Sequence, residues 1–257
     1  MVVIKKTLGK DIEELNIIPI ADYHIGDSLC NYDLIRREIE EVKNNKNTYA
    51  ILDGDILNWA SKTSVSDVYS ETLSPMEELE KAIELLTPIK DKILAMNGGN
   101  HERRASKTEG IDLTYIIAKQ LGLEDVCSNG SSLIFLRFGN DKRNKRVCYK
   151  IFSAHGSRSG SQEGSKMQAL ADLEKIIDAD VYIHAHTHLP ATFMGSHIRT
   201  NEGNSSARQV DVLFANTGSK LKYGGYGETG CFKPQSSANC KITLSGKTRY
   251  LRGVIEC

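Results

Sequence analysis

Five short segments concentrate the residues able to handle metal ions and protons. They are Asp22-Tyr23-His24, Gly54-Asp55-Ile56-Leu57-Asn58, Gly99-Asn100-His101-Glu102, His155-Gly156 and Ala185-His186-Thr187-His188. The chain has seven histidines, and five of them (His24, His101, His155, His186, His188) fall in these segments. Scattered surface use would not cluster them so. Imidazole, carboxylate and amide donors together suit borderline or hard divalent ions such as Mn2+, Fe or Zn2+. No segment holds a cysteine, which argues against a structural zinc site. Asp22 and His24 are two apart, as are His186 and His188; at that spacing extended chain puts both side chains on one face. Asp22, His24, Asp55, Asn100, His155, His186 and His188 are too many ligands for one four-coordinate ion. Two ions sharing a carboxylate would use them, and such a pair, about 3.5–4 Å apart, clamps the attacking and leaving oxygens of an in-line phosphoryl displacement.

The segments follow a common arrangement, in which a short apolar run stops and polar residues begin. Residues 15–21, 49–52, 93–96 and 181–183 read as strands, each ending just before one of the segments. Pro19 argues against a central place for the first, because proline cannot donate to a ladder. Residues 31–43 read as a helix with Ile35, Ile39 and Val42 on one face. Ser74-Pro75-Met76-Glu77 reads as a helix start with a capping box, its apolar stripe being Met76, Leu79, Ile83 and Leu86. Pro88 ends that helix. Further helices are expected over 111–121 and 163–177, the latter with Met167, Leu170, Leu173 and Ile177 inward. Residues 132–138 and 146–153 read as a hairpin around the polar turn 139–144, and strands follow at 191–194, 210–215 and in the last fifteen residues. There is no internal repeat and no Pro/Ser-rich linker, so one α/β domain over 1–257 fits best. In open α/β sheets ligands bind just beyond the carboxyl ends of strands.

Composition excludes several classes. The chain of 257 residues is 40% hydrophobic and 26% charged, ordinary values that rule out disorder, collagen and a pure coiled coil. Lys and Arg number 33, as do Asp and Glu, so no net charge pulls the protein toward nucleic acid or a membrane surface. No apolar run reaches the ~18 residues of a transmembrane helix, and the N-terminus does not read as a signal peptide. The six cysteines show no CxxC and no framework spacing; free thiols in a reducing cytoplasm are expected.

The ordered set D-x-H, G-D-x-x-N, G-N-H-E, H-G, A-H-T-H resembles the calcineurin-like metallophosphoesterase superfamily. It spans about two thirds of the chain, from Asp22 to His188. The resemblance implies a four-layer αββα sandwich of two mixed β-sheets flanked by helices, with a dinuclear centre at one edge. It implies Asp22, His24 and His188 on the first ion, Asn100, His155 and His186 on the second, and Asp55 bridging. His101 matches the histidine that meets the scissile phosphate and protonates the leaving oxygen, and a hydroxide bridging the ions would be the nucleophile. Two divalent ions are implied, Mn2+ foremost, with Fe, Zn2+ or Ni2+ as alternatives. There are departures. Ala185 stands where the family has glycine, and Asn58 where an aspartate is common. The G-D-x-V-D-R-G stretch of the protein Ser/Thr phosphatases is absent.

Taken singly, each segment has an ordinary explanation: a strand-end turn, an Asx turn at Asp55, a helix start at Asn100, exposed loop histidines. It is the ordered set that points to chemistry. Arg103, Arg104 and Arg158 stand beside the segments and could hold substrate phosphate by forked hydrogen bonds, or could be solvated ion pairs. The basic tip Lys142, Arg143, Lys145, Arg146 reads as a soluble loop. The Gly-rich stretch 218–227 lacks a P-loop ending. It reads as a linking loop, or as a substrate cover whose Tyr223 or Tyr226 stacks on a base. The expected activity is a metal-dependent phosphodiesterase on nucleotides or nucleic acid, DNA included. A phosphomonoesterase on the same site, or a non-catalytic scaffold of that fold, are the alternatives.

Overall fold

The strands alternate apolar side chains between two destinations, and that alternation builds the layers. A computed structural model of the chain describes residues 1–9, 11–61, 64, 68–139, 147–157, 160 and 162–256. In chain order the elements are β1 (Val2–Thr7), β2 (Glu14–Ile20), α1 (Tyr32–Asn44), β3 (Thr48–Asp53), α2 (Pro75–Leu86), β4 (Ile93–Asn97), α3 (Asn100–Thr108), α4 (Leu113–Leu121) and β5 (Cys127–Ser128). Then come β6 (Ser131–Arg137), β7 (Cys148–Ala154), α5 (Glu163–Ala171), β8 (Val181–His184), β9 (Ala191–Asn201), β10 (Ser206–Asn216), α6 (Gly225–Thr229), β11 (Asn239–Ser245) and β12 (Leu251–Glu256). Two mixed six-stranded sheets result, ordered β1-β6-β7-β8-β10-β9 and β12-β11-β2-β3-β4-β5.

Leu15, Ile17 and Ile51 of the second sheet meet Ile134, Ile151, Val181, Ile183 and Leu213 of the first between the sheets. The intervening residues Ile18, Ile20, Ala50 and Leu52 turn outward onto Ile35, Ile39, Leu79 and Ile117 of α1, α2 and α4. On the far side Phe152, Tyr182 and Phe214 cover Leu170 and Leu173 after α5 begins. Each fully buried side chain of this size stabilises by about 1.5–3 kcal/mol. The order helix, sheet, sheet, helix is the αββα sandwich expected.

Several expectations change in detail. β2 is central, flanked by β11 and β3, despite Pro19. Asn16 N–H donates toward β3, to Asn47 O, so by alternation Pro19 lacks a donor on the β11 side. The β11 ladder already ends at Ile17, and nothing is lost. The helix expected over 163–177 stops at Ala171 and continues as a 3-10 turn over Asp172–Lys175. The capping box of α2 is present; its stripe is Leu79, Ala82, Leu85 and Leu86, while Met76 is exposed. Strand β1 was not expected from its lysine-bearing sequence; it forms an edge, paired in parallel with β6. The hairpin strands β6 and β7 pair antiparallel as expected; the basic tip between them lies outside the described residues. Among the described residues the five cysteines are free, and no helix is long and apolar enough to cross a membrane.

What matters for the site is direction. β2, β3 and β4 run parallel in one sheet, and β7, β8 and β10 run parallel in the other. The two sheets are tied at this edge by Asn97, whose Nδ2 donates to Asp53 Oδ1 at 2.9 Å and reaches Ser132 Oγ and Ser153 Oγ at 3.2 Å.

Candidate metal centre

The loops leaving β2, β3, β4, β7 and β8 bring all seven expected ligands together. Asp22, His24 and His188 form one group, and Asp55, His155 and His186 another. A third group, His24, Asp55 and His101, joins them; within each group the potential ligand atoms lie within 4.8 Å of one another. His188 Nε2 is 3.3 Å from Asp22 Oδ1 and 3.4 Å from His24 Nε2. His155 Nε2 is 3.1 Å from Asp55 Oδ2 and 3.0 Å from Asn100 Oδ1. His101 Nε2 lies 3.7 Å from the same Asp55 oxygen.

The residues present fit a pair of cations. Asp22 is fully buried, yet its Oδ1 has no hydrogen-bond partner among the described residues. Such a carboxylate oxygen costs several kcal/mol unless a charge meets it. Around it stand ring nitrogens that point at one another, an arrangement suited to shared coordination rather than to mutual hydrogen bonding.

Electrostatics put Asp22, Asp55, His24 and His186 in ligand-ready states, the carboxylates ionised and the imidazoles neutral. Burial raises the Asp22 carboxyl, but His188, with His155 beyond it, outweighs burial and holds it at about 2. Burial likewise raises Asp55, and His101 and His155 overcome it, keeping Asp55 well below the carboxylate range. Burial drives His24 well below the usual imidazole value, helped by His101. It takes His186 to about 4, with His155 assisting. His155 goes the other way: burial opposes its charge, yet Asp55 and Asp22 lift it to about 10. The two carboxylates thus create a field that favours positive charge between them.

The backbone is bent to do this. Asp22, His24, Asp55, His186 and His188 have φ between 49° and 65°, left-handed values that cost non-glycine residues about 1–3 kcal/mol each and cluster at functional sites. Ala185 is outside that set, so glycine's freedom is not needed there and its buried methyl is accommodated. Gly54 is different: φ is +84°, and a Cβ would stand 2.4 Å from Gly99 N.

Supporting contacts fix the ligands. Asp53 O accepts from His155 Nδ1 at 2.7 Å, directing Nε2 to the centre. Asn58 O does the same for His101 Nδ1 at 2.6 Å. Asn58 Nδ2 turns away to Glu71 Oε1, so an aspartate there would face a second carboxylate. Glu102 accepts from the N–H groups of Asp55, Leu57 and Gly99, holding the Asp55 loop against the start of α3. His184 donates from Nδ1 to Asn216 Oδ1, behind the centre.

The three arginines separate. Arg104 Nη2 lies 3.1 Å from His101 Nε2 and its Nη1 donates to Asn58 O, which puts it beside the centre. Arg103 donates to the carbonyls of Gly98 and Asn129. Arg158 lies outside the described residues, as does the side chain of Tyr226. The Tyr223 hydroxyl donates to Phe232 O. Asp53, Asn97, Asn216 and Thr217 went unmarked in the sequence. They carry no motif of their own, and only the position of Asp53 beside Gly54-Asp55 could have flagged one of them.

No curated protein matches the chain. Among solved structures it is similar to the calcineurin-like phosphoesterase YfkN from Bacillus subtilis, at 12% identity over 95% of this chain and 90% of that one, with a TM-score of 0.40. It is also similar to the NAD nucleotidase NadN from Haemophilus influenzae, at 12% identity and TM-score 0.39. That match covers 95% of this chain but 49% of NadN, so the chain spans about half the length of that protein. A phosphatase from Mycoplasma pneumoniae is similar at 13% identity, over 95% of this chain and 94% of that one, with a TM-score of 0.37. The family model for calcineurin-like phosphoesterases matches residues 17–190. That span holds every candidate ligand that converges here, and the chain belongs to the calcineurin-like phosphoesterase family.

Proposed function

We propose that the protein is a dinuclear metal-dependent phosphodiesterase acting on nucleotides or nucleic acid in the cytoplasm. The observation that carries this is the convergence of seven donors from five loops in adjoining groups, one around the buried Asp22 and one around Asp55 and His155. Asp22, His24 and His188 would hold one ion, Asn100, His155 and His186 the other, with Asp55 between them. Mn2+ suits this mixed N/O set, as Fe, Zn2+ or Ni2+ would. Two such cations supply Lewis-acid charge and a nucleophile from water near neutral pH.

The chain's own groups do the rest. With Nδ1 fixed on Asn58 O, His101 presents Nε2 to the centre, where it can give a proton to a leaving oxygen. Arg104, beside that nitrogen, is placed to pair with a phosphate oxygen. Arg103, committed to two carbonyls, supports the loop instead. A diester is favoured because the protein-phosphatase stretch is missing while the G-N-H-E box is intact.

The test is turnover of bis-p-nitrophenyl phosphate with added Mn2+, followed by a screen of phosphate esters that includes single- and double-stranded DNA. Diester turnover that vanishes in Asp55→Ala is the expected result. Faster turnover of p-nitrophenyl phosphate would make the protein a monoesterase. A site left empty by Mn2+, Fe, Zn2+ and Ni2+ alike would revive the scaffold reading.

A further inference from the structure

We propose that residues 216–220, leaving β10, are a positioning strap for the first cation, and that Thr217 selects the Asp22 oxygen offered to it. The proposal rests on Asp22, His24 and His188 being that cation's ligands. Thr217 Oγ1 donates to Asp22 Oδ2 at 3.2 Å, and His186 N–H donates to the same oxygen at 3.1 Å. Oδ2 is thereby occupied twice, while Oδ1 carries no hydrogen bond among the described residues. Without Thr217 only His186 N–H would hold Oδ2, and the carboxylate could tilt away from the pose that offers Oδ1.

The strap also holds the Asp22 backbone. Ser219 Oγ and Lys220 N–H both donate to Asp22 O, at 3.2 and 3.1 Å. Its other end holds the loop of His188: Asn216 Nδ2 donates to Thr187 Oγ1 at 2.8 Å and to Leu189 O at 2.6 Å. Two ligands 166 positions apart (188 − 22) are therefore set by neighbouring residues of one segment. The strap is anchored in turn. Lys220 Nζ is buried against Asn239 Oδ1 at 2.5 Å and Glu38 Oε1 at 3.3 Å, and Glu38 accepts from Tyr23 OH at 2.6 Å. The second cation's ligand His155 is oriented elsewhere, by Asp53 O. An ordinary strand exit needs none of these contacts to Asp22.

Calorimetric titration with Mn2+, checked by electron paramagnetic resonance, tests this. Thr217→Val keeps the shape and removes the donor. One of the two Mn2+ affinities should fall about 10–100-fold, the other staying within about threefold, because His155 is oriented by Asp53 O and not by the strap. kcat on the diester should fall and recover at raised Mn2+, with KM unchanged. Thr217→Ser, which restores the hydroxyl, should return both affinities. Should Thr217→Val not fold, Ser219→Ala is expected to weaken the same single site. Two wild-type affinities in Thr217→Val, or a Thr217→Ser as impaired as Thr217→Val, would overturn the strap. A wild-type protein that binds no Mn2+ would overturn the metal reading itself.

Discussion

Gly99→Ala should damage the centre more than any other single methyl. A Cβ on Gly99 would stand 2.1 Å from Asp55 Oδ1 and 2.2 Å from Asp55 N. Ordinary contact begins at 3.4 Å, so one partner must retreat by about 1.3 Å (3.4 − 2.1). Asp55 cannot do so cheaply. Its N–H donates to Glu102 and its Oδ1 accepts from His101 N–H at 2.8 Å. Gly99 itself has φ of −90°, so the penalty is steric and not conformational. Overpacking of this kind costs about 2 kcal/mol, or about 4–8 °C of melting temperature in a chain of this size. A carboxylate displaced by about 1 Å should lower kcat about 100-fold. Circular dichroism melting and Mn2+ titration read both effects. Gly164→Ala on α5, with nothing within 4 Å, is the control and should be neutral or slightly stabilising. If Gly99→Ala melts with the wild type and keeps its Mn2+ affinity, the close approach of the Asp55 and Gly99 loops is not what fixes Asp55.

Glu78 is buried, and burial first, then the Glu71 charge, pushes its carboxyl up to about 8. Its folded value lies above the unfolded one, so its contribution is intact below about pH 4.5 and is lost as pH rises through 8. Glu78→Gln should therefore match wild type at pH 5 and be more stable by at least about 1.4 kcal/mol at pH 9; equal melting at pH 9 would refute this. Lys220→Met leaves the buried Glu38 unpaired and should cost about 3–5 kcal/mol in urea unfolding, most of which the added Glu38→Leu should return. Chelating Mn2+ from protein held at a hundred times its Kd should remove about 2.7 kcal/mol, roughly 5–10 °C by calorimetry. An unchanged melt would mean that no ion is bound.

The convergence of the candidate ligands was legible because each motif joins a strand end to donors in fixed order. The αββα layering followed from the family resemblance those motifs carry, with the strand runs agreeing. The strap was not legible: Thr217 and Ser219 meet Asp22 across 195 and 197 positions; Thr217 belongs to no motif, and Ser219 lies in the Gly-rich stretch read as a linking loop or substrate cover. Glu38 shows the same limit, since it sits on the buried face of α1 with Ile35, Ile39 and Val42, and only Lys220 and Tyr23 explain why a charge is there. Pro19 misled because ladder length, not residue type, decides whether a missing N–H matters. Arg103 and Arg104 are adjacent in the sequence, and only α3 geometry gives one to the loop and the other to His101.

The left-handed φ values at Asp22, His24, Asp55, His186 and His188 have a consequence for motion. These turns are held uphill by hydrogen bonds from neighbouring segments, and without metal they should open more readily than the strands that carry them. Two cations that gather the five side chains would lock them without altering their shape. Deuterium uptake at 22–24 and 186–188 should then slow sharply on loading with metal, while the amides of β7 and β8, in the middle of the first sheet, stay as they were.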